Sequence, residues 1–234
     1  MQYVTLIAAL ALVFKPLQEP TPARGHFAPS AVPPIEAAER GFVSVSAYKF
    51  RDSKGKLWIA PKGTKTDCAS IPSVCLPFTG DPCNEQYRSA ALIHDAYCGK
   101  ANVGQASYHQ APWPEVHRMF YEACLAGGTP DAKARLMYAA VYMFGPRNWT
   151  YQKRGGPQKS VQELFSSGEL AMMKANTNSV SISDSLKQEQ FKELAGFIEA
   201  KSPSLNELDK KMQSATKQLV QQKVLVLPGQ YHKQ

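Results

Sequence analysis

Cysteine is scarce in this chain: five residues in 234 are too few to hold together a mini-protein built on disulfides. No apolar run approaches the ~20 residues a membrane-spanning helix needs, which excludes a polytopic membrane protein. Acidic residues are outnumbered, 19 Asp and Glu against 27 Lys and Arg, leaving a net charge of +8. The basic residues stand singly, with no zinc-finger, RNP-like or helix-turn-helix pattern, so nucleic acid is not expected as a partner. HExxH and paired CxxC spacings are also missing. What remains is a sequence with 44% hydrophobic and 10% aromatic residues, enough to bury a real core.

The charge and the aromatics are concentrated before residue 160. That part carries a net +7 and 19 of the 23 Phe, Trp and Tyr residues, so core and chemistry are expected there. A basic face favours an anionic partner, and an envelope substrate such as a lipid headgroup fits that charge. Residues 1–15, with the apolar run Val4 to Phe14, read as a signal peptide or an apolar anchor, although Met1, Gln2 and Tyr3 offer no basic side chain. Residues 16–40 read as a Pro-rich linker, with six prolines between Pro16 and Pro34. The expected location is therefore secreted, periplasmic or envelope-associated, with membrane-surface association; a virion or host-cytoplasmic place is the alternative.

Residues 41–155 form the expected core domain. Phe42, Val43, Val45, Tyr48 and Phe50 alternate loosely, and Asp52 to Gly55 turns the chain into Leu57-Trp58-Ile59, the pattern of a β-hairpin with one apolar face. Three helices are predicted next. The first starts at the N-cap Asn84 and stops at Gly99; the second has Pro114 in its first turn and ends at Gly127-Gly128. The third has Thr129 as N-cap and stops at Gly145-Pro146, and its Leu136, Tyr138, Val141, Tyr142 and Phe144 mark it as the central core helix. Residues 156–234 read as a helical C-terminal extension. There Leu186, Phe191, Leu194 and Phe197 mark one amphipathic helix, and Ser204 with Glu207 forms a capping box. Leu205, Leu208, Met212, Ala215 and Leu219 then repeat at 3 and 4, a short seam open to packing on the domain or to homodimerisation. The fold class is α+β: a small N-terminal β-hairpin packed on a three-helix core, plus the helical extension.

The densest polar constellation is His94-Asp95-Ala96-Tyr97 on the first helix, with the loop Thr66 to Pro72 before it and His117 after it. Tyr87, Ala91, His94 and Cys98 share one helical face, as do His117, Phe120 and Cys124, so two antiparallel helices would bring His94 and His117 together. Burying several such groups is costly unless they satisfy one another, so the cluster is either a self-satisfied core feature or a site. As a hydrolase, it would use His94 and Asp95 with Asp67. Asp67, His94, Asp95 and His117 also make a mixed N/O set for Zn²⁺ or another divalent ion, with His109 as a spare. A third reading makes Cys68 a nucleophile with His94 as its base, against disulfide pairing with Cys75, Cys83, Cys98 or Cys124. Arg118 and Glu122 read as a solvated i, i+4 pair, and Trp113 as a residue of the loop before the second helix.

The order Gly63-x-x-Thr66-Asp67-x-Ala69-Ser70-Ile71-Pro72, then Ala90-Ala91-Leu92-Ile93-His94-Asp95, then Arg118-x-Phe120, then Ala134 to Gly145 resembles the phage and bacterial "domain of unknown function 1353". The match runs from about Gly41 to Trp149. That resemblance implies an Asp three residues before the second-helix Phe, where this chain has His117. A weaker similarity is to secreted phospholipase A2, which implies His94 as general base, Asp95 as a Ca²⁺ ligand and an orienting acid at the position of His117. The glycine-rich calcium loop of those enzymes is absent here. The functional expectation is a hydrolase with a His94-Asp95 centre acting on lipid or cell wall. A non-catalytic structural or binding module of a phage or cell envelope, and a metal-binding domain without turnover, are its rivals.

Overall fold

The computed structural model describes residues 25–29, 32–39, 41–69, 71, 73–147, 149 and 184–226. The expected leader at 1–15 and residues 156–183 of the extension lie outside the described residues. Among the described residues, six short strands form two three-stranded antiparallel sheets, and helices follow.

The first sheet is ordered β1 (His26–Ala28), β4 (Tyr48–Arg51), β5 (Leu57–Ala60). Alternation sends Tyr48, Phe50, Trp58 and Ala60 to one buried face, as the period of two requires. The β4–β5 turn is tied by Asp52, whose carboxylate accepts from the Lys54 and Lys56 amides and from Trp58 Nε1. The second sheet is ordered β2 (Ile35–Ala37), β3 (Phe42–Ser44), β6 (Lys65–Thr66). Strands β1 and β2 lie within the stretch 16–40 expected as a linker, so its residues 26–28 and 35–37 are part of the sheets. Phe27 pairs with Phe50 in register and stacks on Tyr48 at 5.4 Å, so this proline-punctuated stretch is recruited by long-range pairing.

After a 3₁₀ turn and the short α1 (Leu76–Thr79), three 14-residue helices carry the core: α2 (Glu85–Cys98), α3 (Trp113–Ala126) and α4 (Asp131–Phe144). Asn84 caps α2 by accepting from the Gln86 amide at 3.0 Å, and Gly99 ends it, as its sequence predicts. The central helix is α2, not α4: 11 of the 14 residues of α2 are buried against 8 of α4. Ser89, Ala90, Ala91 and Ala96 keep α2 slim enough to be enclosed by α3 and both sheets, whereas aromatic content alone points to α4. Thr129 does not cap α4; its hydroxyl donates to the Gln86 carbonyl and fastens the α3–α4 turn to α2.

The extension forms α5 (Asp184–Lys201) and α6 (Leu205–Val226). Ser204 and Glu207 bond reciprocally as a capping box. Leu208, Met212, Ala215 and Leu219 are buried, and α6 packs on α4 and α5. The seam is thus filled from within the chain. Asp209 of α6 accepts from Arg118 at 2.5 Å and from the Tyr138 hydroxyl at 2.8 Å, while Glu122 accepts from the Ser53 amide. Arg118 and Glu122 therefore join separate elements and are not a solvated pair. No helix among the described residues is long and apolar enough to cross a membrane.

Candidate functional site

A cavity of about 580 Å³, within the range of small-molecule sites, opens where β6, the end of α2 and the β2–β3 turn meet. Thr66, Asp67 and Asp95 line it, flanked by Lys65, Lys100 and Glu39. Asp95 is only 2% exposed, yet it is the residue of the α2 His-Asp pair that contributes to this lining. Its Oδ2 accepts from the Thr66 hydroxyl at 2.6 Å. Burial raises its pKa above the usual carboxylate value, opposed by His94 and Thr66 and reinforced by the nearby charge of Asp67.

Behind Asp95 the two helices meet as their facing stripes predict. His94 Nε2 lies 2.9 Å from His117 Nδ1, and His117 Nε2 lies 2.9 Å from the Pro146 carbonyl. A carbonyl only accepts, so His117 carries its proton on Nε2 and presents a bare Nδ1. His94 must then donate through Nε2, which leaves its Nδ1 facing Asp95 Oδ1 at 3.7 Å. Burial, aided by the charges of His94 and Arg147, holds the His117 pKa well below the usual histidine value, so the ring stays neutral. His94 is 1% exposed, packs against the Phe120 ring at 4.9 Å and takes no part in lining the cleft.

Sequence reasoning misses Asn102, which is fully buried in a 3₁₀ turn after α2. Its amide nitrogen donates to the Lys65 and Asp95 carbonyls, and its oxygen accepts from the Lys65 amide at 2.8 Å. It finishes the free edge of β6 as a neighbouring strand would, and locks that edge to α2. The one local hint is Gly99: a Cβ there would sit 3.1 Å from Asn102 Nδ2 and 2.8 Å from the Asp95 carbonyl, so the close approach needs glycine.

Several expected roles do not survive. Cys68 is bonded to Cys83, and a disulfide sulfur is no thiolate nucleophile. Cys75, Cys98 and Cys124 are buried free thiols. Among the described residues, no group of three or more His, Cys, Asp or Glu side chains is placed to hold a metal ion. Asp67, His94, Asp95 and His117 are not gathered into one ligand set: both nitrogens of His117 are engaged within the fold, and His94 lies behind Asp95. Of the phospholipase-like pair, Asp95 lines the cleft and His94, expected there as the base, does not. His109 stacks on Trp149 at 4.4 Å, away from the cleft, and Trp113 is buried as the first residue of α3.

The arrangement defines a class before it defines a family: an α+β domain with a buried carboxyl at a cleft, backed by a histidine pair. Residues 43–141 match the model of the family described as "Protein of unknown function (DUF1353)". Two uncharacterized proteins of Sinorhizobium fredii (strain NBRC 101917 / NGR234) are similar to the chain. One, y4iH, is 44% identical over 104 residues, covering 44% of this chain and 40% of its own length. The other, y4jT, is 35% identical over 121 residues, covering 51% of this chain and 33% of its own. The chain thus spans less than half the length of these relatives. No solved structure matches it.

Proposed function

We propose that the domain is a hydrolase-type enzyme in which Asp95 is the general acid–base of the cleft and Asp67 is its exposed partner carboxyl. The observation that carries the reading is Asp95 itself, a buried carboxyl with a raised pKa that nonetheless lines a cavity of substrate size. A carboxyl so placed holds a proton closer to neutral pH and can deliver it to a leaving group. His94 and His117 are positioning residues, since neither lines the cleft. Lys65 and Lys100 at its rim, with the chain's net +8, support an anionic substrate, and an envelope lipid or cell-wall polymer is the class proposed. The Cys68–Cys83 bond supports a place in an oxidising compartment.

A non-catalytic structural module is the second reading. It is favoured by the way Thr66, Asp95, His94, His117 and Asn102 find partners within the fold. Release assays on phospholipid vesicles and on peptidoglycan separate the two. The enzyme reading expects turnover on one of them, lost by about 100-fold or more in Asp95→Asn, the usual scale of general acid–base catalysis. No turnover by the wild-type protein on either substrate overturns it in favour of the module.

A further inference from the structure

We propose that Thr66 is a positioning residue whose hydroxyl reverses its hydrogen bond, so that Asp95 is satisfied both with and without its proton. The inference rests on the acid–base reading of Asp95. Three contacts define it. Thr66 Oγ1 lies 2.6 Å from Asp95 Oδ2, 3.1 Å from the Cys68 amide nitrogen and 3.3 Å from the Cys68 carbonyl oxygen.

A threonine hydroxyl has one proton to give and two lone pairs to offer. With Asp95 charged, the hydroxyl donates to Oδ2 and accepts from the Cys68 amide. With a proton on Oδ2, the acid donates to Oγ1, the Cys68 amide still donates to it, and the hydroxyl proton turns to the Cys68 carbonyl. The switch needs only a rotation about one C–O bond. In both states Asp95 Oδ2, the Thr66 hydroxyl and the Cys68 amide keep a partner, which is what a group cycling between acid and base requires.

The surroundings hold this rotor in place. Cys68 has φ +79°, in the left-handed region, which folds its amide and carbonyl back over Thr66, and its bond to Cys83 anchors the bend. Gly41 permits the approach from the other side, since a Cβ there would meet the Thr66 carbonyl oxygen at 2.1 Å. The other groups around Asp95 cannot do the same work. His94, on its own helix, stands 3.7 Å from Oδ1, beyond a direct hydrogen bond, with Cys98 beside the imidazole. Asn102 spends its amide on backbone groups. Asp67 and Lys65 on the β6 side, Lys100 after α2 and Glu39 in the β2–β3 turn line the cleft, and His117 on α3 lies behind His94.

The test is a ¹³C carboxyl titration of Asp95 in the full chain, with the resonance assigned by its loss in Asp95→Asn. Thr66→Ser keeps the rotor and titrates with the wild type. Thr66→Val removes the stronger bond to the charged form and the weaker bond to the protonated one, and so lowers the acid dissociation constant of Asp95 by about fivefold, the difference between a charged and a neutral hydrogen bond. A Thr66→Val protein that titrates like the wild type overturns the proposal. Should that variant not fold, the wild-type protein decides: the Cys68 carbonyl ¹³C shift follows the Asp95 midpoint, and a carbonyl that ignores it is the contrary result. Neither measurement needs turnover, so failure of the hydrolase reading on lipid or peptidoglycan and failure of the Thr66 hydrogen bond are read separately.

Discussion

His94 Nε2 sits 2.9 Å from His117 Nδ1, and the direction of that bond is set by a third group, the Pro146 carbonyl, which obliges His117 to keep its proton on Nε2. The α2–α3 pair thereby holds one imidazole as acceptor and the other as donor, and turns the second toward Asp95. A buried polar cluster of this kind fixes the relative rotation of two helices as well as the state of a carboxyl.

The pair makes folding sensitive to acid. The pKa of His117 is depressed in the fold below its ordinary 6.5, so the unfolded chain binds the proton more readily. Stability from this group is present above 6.5 and is lost as pH falls through the folded value. Urea midpoints measured from neutral pH downward should fall less steeply in His117→Asn, which keeps an acceptor without the titration. An unchanged pH profile would contradict this.

Asp95 carries the opposite sign. Its folded pKa is raised above 3.8, so its contribution is present below 3.8 and is lost as pH rises through the folded value. Asp95→Asn should therefore raise the urea midpoint at neutral pH, the mark of a group held at a stability cost for function. A lower midpoint would favour the structural reading.

The Cys68–Cys83 bond closes a 15-residue separation that begins next to Asp67 at the cleft rim. Paired Cys68→Ala and Cys83→Ala substitutions should destabilise the protein by about 3 kcal/mol on chain-entropy grounds. They should also speed amide exchange at Cys68 and Ala69 relative to α2. Thiol counting in denaturant should find three free cysteines before reduction and five after it.

Leu208 and Met212 are buried against the chain's own helices. Leu208→Ala should cost about 2–5 kcal/mol, the usual range for such a truncation, at a Tm independent of protein concentration. A concentration-dependent Tm would instead mean that the seam is shared between two molecules.

Local punctuation made much of this legible. Asn84 and Gly99 bracket α2, the Asp52–Gly55 turn joins β4 to β5, and Ser204 with Glu207 starts α6, because caps and turns act within a few residues. The meeting of His94 and His117 followed from two helical stripes. The rest depended on pairings with no local trace. Phe27 finds Phe50, and Asn102 reaches back 37 residues to Lys65. A buried asparagine that completes a strand edge shows no periodicity. The centrality of α2 was hidden for a related reason: its burial comes from small side chains and enclosing neighbours, which a count of aromatics overlooks. Which member of the His-Asp pair lines the cleft depended on the helix's rotation against β6, set by Thr66 and Asn102.

The central claim is that Asp95 is a proton-bearing carboxyl reachable from the cleft, and carbodiimide labelling read residue by residue by mass spectrometry tests it most directly. A carbodiimide needs both access and a carboxylic proton, and a small amine traps the activated acid. Asp95 should be modified in the folded protein, and its labelling should persist to higher pH there than in the urea-unfolded chain. An Asp95 that stays unmodified while Asp67 reacts would mean a sealed carboxyl, and would contradict the account.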